Sequence, residues 1–221
     1  MQKWIGIGDI HDNVSQIHQI PEVKDADGII IHGDITNMGD SKQAAKMIKQ
    51  IADVNSNIYA QIGNMDHLDI QSYLEQETKS IHCKGIELYS GVGIMGVGMS
   101  SPTPFQTPGE ISDDQLGEWL ENAWQHISQI NHKAVITHDP PFGTKLDTIS
   151  GGVHVGSKAV LAFIEKYQPD ILLCGHIHEA RGEDTIGQTK AVNPGLFSDG
   201  GYALITYDNN ILDITFKMIN V

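Results

Sequence analysis

Seven side chains able to hold a metal ion recur in one context, each directly after a short apolar run: Asp9 and His11, Asp34, Asn64, His138, and His176 with His178. Carboxylate oxygen, amide oxygen and imidazole nitrogen together suit borderline and hard dications such as Mn, Fe(II), Zn or Mg. A structural zinc site would ask for clustered thiolates, and the chain has only two cysteines, Cys83 and Cys174, far apart in sequence. A central carboxylate can bridge two ions about 3.5–4 Å apart, the spacing of two-metal hydrolases, and Asp34 is the choice for that bridge.

The runs that must position these residues are 4–8, 28–32, 58–62, 134–137 and 171–174. They are β-branched and end in turn residues, as buried parallel strands do. Helices are expected between them at about 14–20, 41–54, 113–130 and 157–167, with Asp40 or Ser41 and Ser157 as N-caps. Residues 81–99 and 183–218 carry Gly- and Asn-punctuated apolar runs that suggest antiparallel strands beside the parallel set. The expected architecture is an α/β core of two sheets packed face to face with helices outside, formed by one domain over residues 1–221. In such sheets ligands bind beyond the carboxyl ends of the strands, where the seven side chains would converge.

Read together, Gly8-Asp9-Ile10-His11, Gly33-Asp34, Gly63-Asn64, His138 and Gly175-His176-Ile177-His178 resemble the motifs of the calcineurin-like metallophosphoesterase family. Asn193-Pro194-Gly195 followed by Gly200-Gly201-Tyr202 is similar to its bacterial and archaeal branch. The resemblance implies a four-layer α/β/β/α sandwich of two mixed sheets and hydrolysis of phosphomonoesters or phosphodiesters. It also implies a first metal on Asp9, His11, Asp34 and His178 and a second on Asp34, Asn64, His138 and His176. Mn is the expected ion, with Fe, Zn, Ni and Mg as the family's other metals. Two dications lower the pKa of a bridging water, so that hydroxide is available near neutral pH, and they offset charge on the phosphoryl oxygens.

Many family members carry a His directly after the Asn of the third motif, where it can protonate the leaving group. Here Gly63-Asn64-Met65-Asp66-His67 puts a thioether there, which delivers no proton. The expected stand-ins are His154, in the Gly-flanked loop before the 157–167 helix, and His67, with His154 preferred. Asn13 could reach a phosphate oxygen, and Asp66 could orient a metal-ligating His. The missing acid tilts the expected substrate toward small phosphodiesters. The alternative is a catalytically weak metal-binding regulatory or interaction protein on the same fold.

Net charge is −14, from 28 acidic against 14 basic residues, so nucleic-acid backbones and anionic membranes should be repelled and stable nucleic-acid binding is not expected. No apolar stretch approaches the roughly 20 residues that span a bilayer. Polar candidates for chemistry appear by Asp9, too early for a cleavable leader, so the expected location is cytoplasmic. A homo-oligomer is compatible with the sequence. Gly91-Val92-Gly93-Ile94-Met95-Gly96 fits a dinucleotide fingerprint as a string, but no helix should follow it. His18, His82, His126 and His132 are expected to be solvated or at helix ends, and His32 to pack beneath the site. Glu110, Asp113, Asp114, Glu118 and Glu121 read as a solvated helix face.

Overall fold

The computed structural model describes residues 1–219. In chain order its elements are β1 (Gln2–Ile7), β2 (Gly28–Ile31), α1 (Ser41–Ala52), β3 (Ile58–Ala60), α2 (Leu68–Glu77), β4 (Lys79–Ser80), β5 (Lys84–Tyr89), β6 (Val92–Val97) and α3 (Asp113–Gln125). There follow β7 (His132–Thr137), β8 (Thr148–Ile149), β9 (Val153–His154), α4 (Lys158–Tyr167), β10 (Ile171–Leu173), β11 (Gly182–Ile186), β12 (Thr189–Asn193), β13 (Gly201–Asp208) and β14 (Ile211–Met218).

One six-stranded sheet runs β14-β13-β1-β2-β3-β4 and a second runs β11-β12-β10-β7-β6-β5. Both are mixed. In the first, β1 to β4 are parallel and β13 pairs antiparallel with β1. In the second, β6, β7, β10 and β12 are parallel, with antiparallel β5 and β11 at the edges.

Period-two alternation explains how each strand serves two cores at once. In β1 and β2, Trp4 and Ile30 face the opposite sheet, while Ile5, Ile7, Ile29 and Ile31 face a core that includes Ala44, Met47, Ile48 and Ile51 of α1 and Ile70 and Leu74 of α2. Across the sandwich, Ile94, Ala134, Ile136, Ile171 and Leu173 meet Trp4 and Ile30. On the far side Met95, Val97, Val135 and Leu172 pack on Leu116 and Leu120 of α3 and Val160, Phe163 and Ile164 of α4. The result is a four-layer α/β/β/α sandwich. With both faces of each sheet covered, the central strands are apolar throughout rather than alternating with polar residues.

The caps of α1, α3 and α4 are Asp40, Ser112 and Ser157, each accepting a backbone N–H from the first turn. Several expectations are corrected. The five apolar runs divide between the sheets, three in the first and two in the second. Residues 14–20 form no α-helix but turns and a three-residue 3₁₀ segment, Ile17–Gln19. Val14, Ile17 and Ile20 recur every third residue and all are buried, which a three-residue turn satisfies without the cost of nucleating a longer helix.

α2 has no counterpart among the expected helices, because only Ile70 and Leu74 mark its buried face and no side chain caps it. α3 stops at Gln125, and residues to Ile130 continue in single turns. β6 lies between antiparallel β5 and parallel β7, so the 81–99 region is only half antiparallel. His82 is not solvated: its Nδ1 accepts the Gly98 N–H at 3.1 Å and its ring meets Trp119 edge-on. The glycine-rich string is β6 itself, and no helix follows it directly. Among the described residues no helix is long and apolar enough to cross a membrane.

Candidate metal centre

The candidate ligands sit where strands end and the chain turns. Asp9 and His11 follow β1, Asp34 follows β2, Asn64 follows β3, His138 follows β7, and His176 and His178 follow β10. Backbone bonds fasten these loops together. The Asp9 N–H donates to Gly33 O at 3.0 Å, Ile10 and His11 N–H both donate to Asp34 O, and Gly175 N–H donates to His138 O at 3.0 Å.

Four of the seven, Asp9 (φ 45°), His11 (φ 44°), Asp34 (φ 51°) and His176 (φ 67°), adopt the left-handed backbone conformation. For a residue with a Cβ this costs about 1–3 kcal/mol, and it persists where the surroundings over-determine it. The adjoining glycines are demanded by space. A Cβ on Gly63 would collide with Asp34 Oδ1, and one on Gly175 with His32 and Asp9 Oδ2.

Oxygen and nitrogen atoms of six candidates converge. Asp34 Oδ2 lies 3.6 Å from His11 Nε2 and 3.4 Å from His138 Nε2. Asp9 Oδ1 lies 3.3 Å from His178 Nε2, and His11 Nε2 is 3.2 Å from His178 Nε2. Asn64 Oδ1 is 2.8 Å from His138 Nε2. Two overlapping groups have the spacing to hold an ion: Asp9, His11 and His178, and Asp9, Asp34 and His138. His176 lies outside both, its ring centroid 5.3 Å from that of His138, while its backbone N–H donates to the Asp9 carboxylate.

Electrostatics follow from burial set against these neighbours. Burial opposes ionisation of Asp9 and Asp34, but the His178 hydrogen bond and His138 charge at Asp9, and the His138 charge and hydrogen bond at Asp34, hold both carboxyls below the usual range. Burial pushes His176 down to about 4, leaving a neutral ring suited to ligation. Burial also acts on His138, yet Asp34 outweighs it and raises His138 to about 9, so metal uptake there must displace a proton. Carboxylates and imidazoles crowded at 3.2–3.6 Å form a donor set whose chemistry suits divalent metal ions.

A model of the calcineurin-like phosphoesterase family matches residues 3–180. This chain belongs to that family. An uncharacterized protein of Methanocaldococcus jannaschii is 31% identical to this chain over 197 residues, 87% of each chain. A Caenorhabditis elegans protein is 25% identical over 88% of this chain and 75% of its own length. Among solved structures, a Thermus thermophilus protein superposes with a TM-score of 0.75 at 15% identity, covering 99% of both chains, which shows the shared fold.

The other residues singled out from the sequence have different surroundings. Asp66 is fully buried and its hydrogen bonds go to none of the candidate histidines. It accepts Ile35 N–H (3.0 Å), Thr36 N–H (2.9 Å), Thr36 Oγ1 (3.0 Å) and Gly63 N–H (3.0 Å), tying the Asp34 loop to the Asn64 loop. Burial and the charge of Asp34 push its carboxyl up to about 6, against the pull of those donors. His67 is exposed and starts α2. Asn13 is also exposed, and its amide oxygen accepts Ser15 N–H and Oγ.

His154 pairs with Thr148 across the β8–β9 hairpin, while Ile149 pairs with Val153 on the other face. Ile149 lines a cavity with His176 and His178; His154 lines neither that cavity nor the larger one below. Its Nδ1 is 2.7 Å from buried Asp147, so the hairpin geometry turns it away from the cluster instead of toward a leaving group.

Three positioning residues escaped the sequence reading. Asn64 Nδ2 donates to Thr107 Oγ1 at 2.8 Å, and that hydroxyl donates to Glu110 Oε1 at 2.7 Å, which points Asn64 Oδ1 back at His138. Glu110 is therefore a brace and not part of a solvated face, and Asp113 likewise accepts from Ser157 Oγ and Ala159 N–H. Asn193 Nδ2 donates to Ile177 O at 2.9 Å and to Gly175 O, fixing the His176–His178 loop. The Thr-x-x-Glu spacing of residues 107–110 is the one local signal that could have flagged the first pair. Thr107→Val keeps the shape but frees the Asn64 amide, and metal affinity should fall about 10–100-fold, as titration of the apo-protein will show.

Proposed function

We propose that this protein is a dinuclear metal-dependent phosphoesterase that favours phosphodiesters. The observation that carries the reading is Asp34 Oδ2, a single buried carboxylate oxygen within 3.6 Å of His11 Nε2 and 3.4 Å of His138 Nε2, where one oxygen can serve two ions. Asp9, His11 and His178 would complete one ion's ligands, and Asn64, His138 and His176 the other's. Bound there, two dications would activate a water near neutral pH and meet the charge on the phosphoryl oxygens.

The chain's own part is positional. Asp66 and the Thr107–Glu110 pair hold Asp34 and Asn64 in place, and Asn193 holds the two histidines after β10. Buried His32 lies beneath, its ring 6.3 Å from that of His138, filling the space left by Gly8 and Gly175. The cluster opens on a cavity of about 470 Å³ that takes the ester.

The test is elemental analysis of Mn-reconstituted protein together with hydrolysis of bis(p-nitrophenyl) phosphate. Two ions per chain and Mn-dependent release of p-nitrophenolate are expected. Ions bound with no turnover on any diester or monoester would instead favour an interaction protein on this fold, and one ion per chain would remove the dinuclear reading.

A further inference from the structure

We propose that Met38, Met65 and Phe105 form a subsite for an aromatic arm of a phosphodiester, making aryl diesters the preferred substrate class. The inference rests on the phosphoesterase reading above and deepens it. The carrying observation is continuity: one cavity is lined both by His11, Asp34, Asn64, His176 and His178 and by these three side chains with Thr107. A phosphoryl group held at the cluster leaves its organic arms facing thioethers and a phenyl ring. Sulfur and aromatic edges attract planar rings beyond what area burial alone gives.

Exposure and bracing support the assignment. Phe105 is 82% exposed and Met38 54%, so both present free apolar surface to whatever occupies the cavity they line. Phe105 is nonetheless tied down. Its N–H donates to Thr103 Oγ1 at 3.1 Å, and Thr103 and Thr107 both donate to Glu110 Oε1, at 2.6 and 2.7 Å. The carboxylate that orients Asn64 thus also fixes the loop that presents Phe105, so the metal site and the apolar wall are set by one brace.

Charge and proton supply narrow the class. Among the described residues lining the cavity there is no Lys or Arg. The second negative charge of a monoester dianion would find no side-chain cation, whereas a diester monoanion needs none beyond the ions. Apart from the candidate ligands, the only protic side chain there is Thr107, whose hydroxyl proton is already given to Glu110. In the reaction, water oxygen forms a new P–O bond as the bond to the aryl oxygen breaks. That oxygen departs with the electron pair as a phenolate and the water protons pass to solvent. A phenolate can leave unprotonated; an alkoxide cannot do so at a useful rate.

The probes are diphenyl phosphate and dimethyl phosphate, titrated calorimetrically into Mn-loaded protein, with hydrolysis of methyl aryl phosphates as a second readout. Diphenyl phosphate should bind at least about tenfold more tightly than dimethyl phosphate. Phe105→Ala and Met38→Ala should each shrink that ratio several-fold, whereas Ile211→Ala, at an exposed apolar residue that opens β14 and does not line the cavity, should leave it unchanged. Turnover should fall steeply as the leaving phenol becomes less acidic. Equal affinity for the two diesters, or a ratio that survives both substitutions, overturns the subsite while leaving the phosphoesterase reading intact. Absence of Mn-dependent hydrolysis of every diester and monoester removes both.

Discussion

Asp34→Asn should reduce bound metal from two ions per chain to at most one and lower kcat/KM for bis(p-nitrophenyl) phosphate on the order of a thousandfold or more. Losing a shared anionic ligand removes several kcal/mol of charge stabilisation, and each 1.36 kcal/mol is about a factor of ten in rate. The substitution is chosen because it is nearly isosteric and should keep the local backbone contact. An Asn oxygen can still accept the Met65 N–H that Asp34 Oδ1 now takes at 2.8 Å. The charge is lost, and an amide has no anionic oxygen to share between His11 and His138. Elemental analysis and steady-state kinetics on the same preparation check it. Two ions retained with turnover within tenfold of wild type would dispose of the bridge.

Asp66→Ala should act on the scaffold, with catalysis affected as a consequence. Its carboxylate is fully buried and accepts four hydrogen bonds from two loops. Removing it strands those donors away from water, a loss of about 3–5 kcal/mol, or a drop in Tm of roughly 10 °C for a chain of this size. Metal affinity should also fall about 10–100-fold, since the Asp34 and Asn64 loops lose their common tether. Asp66→Asn retains one accepting oxygen and should lie between. Thermal unfolding of metal-free protein gives the stability term separately from metal binding. A shift of only a degree or two would show that the two loops are held by other means.

The candidate ligands were legible because each follows an apolar run, broken by Gly and a polar residue everywhere except at His138, which follows Thr137 directly. Strand ends that turn sharply leave that trace whatever the rest of the chain does. Layer order was also accessible, since continuous apolar runs require sheets covered on both faces. What supports the ligands was not legible. Asp66 bonds residues some 30 positions earlier, and Thr107 bonds Asn64 43 positions earlier. Before folding, Glu110 looks like any acidic residue near a helix start. Only the approach of Thr103 and Thr107 distinguishes it from a solvated side chain. The orientation of His154 was hidden for a similar reason: strand alternation in β8–β9 decides which face the ring takes, and a two-residue strand shows no periodicity in sequence. α2 was missed because two buried residues make too faint a stripe.

Asp9, His11, Asp34 and His176 occupy backbone geometry that glycine would adopt with less strain. At these four positions selection for durability and selection for chemistry point in opposite directions. A heat-hardened descendant obtained by screening for folding alone would be free to trade such a side chain for glycine, gaining endurance and surrendering its ions. Screens for robust variants of this protein therefore need metal retention as a co-selected trait.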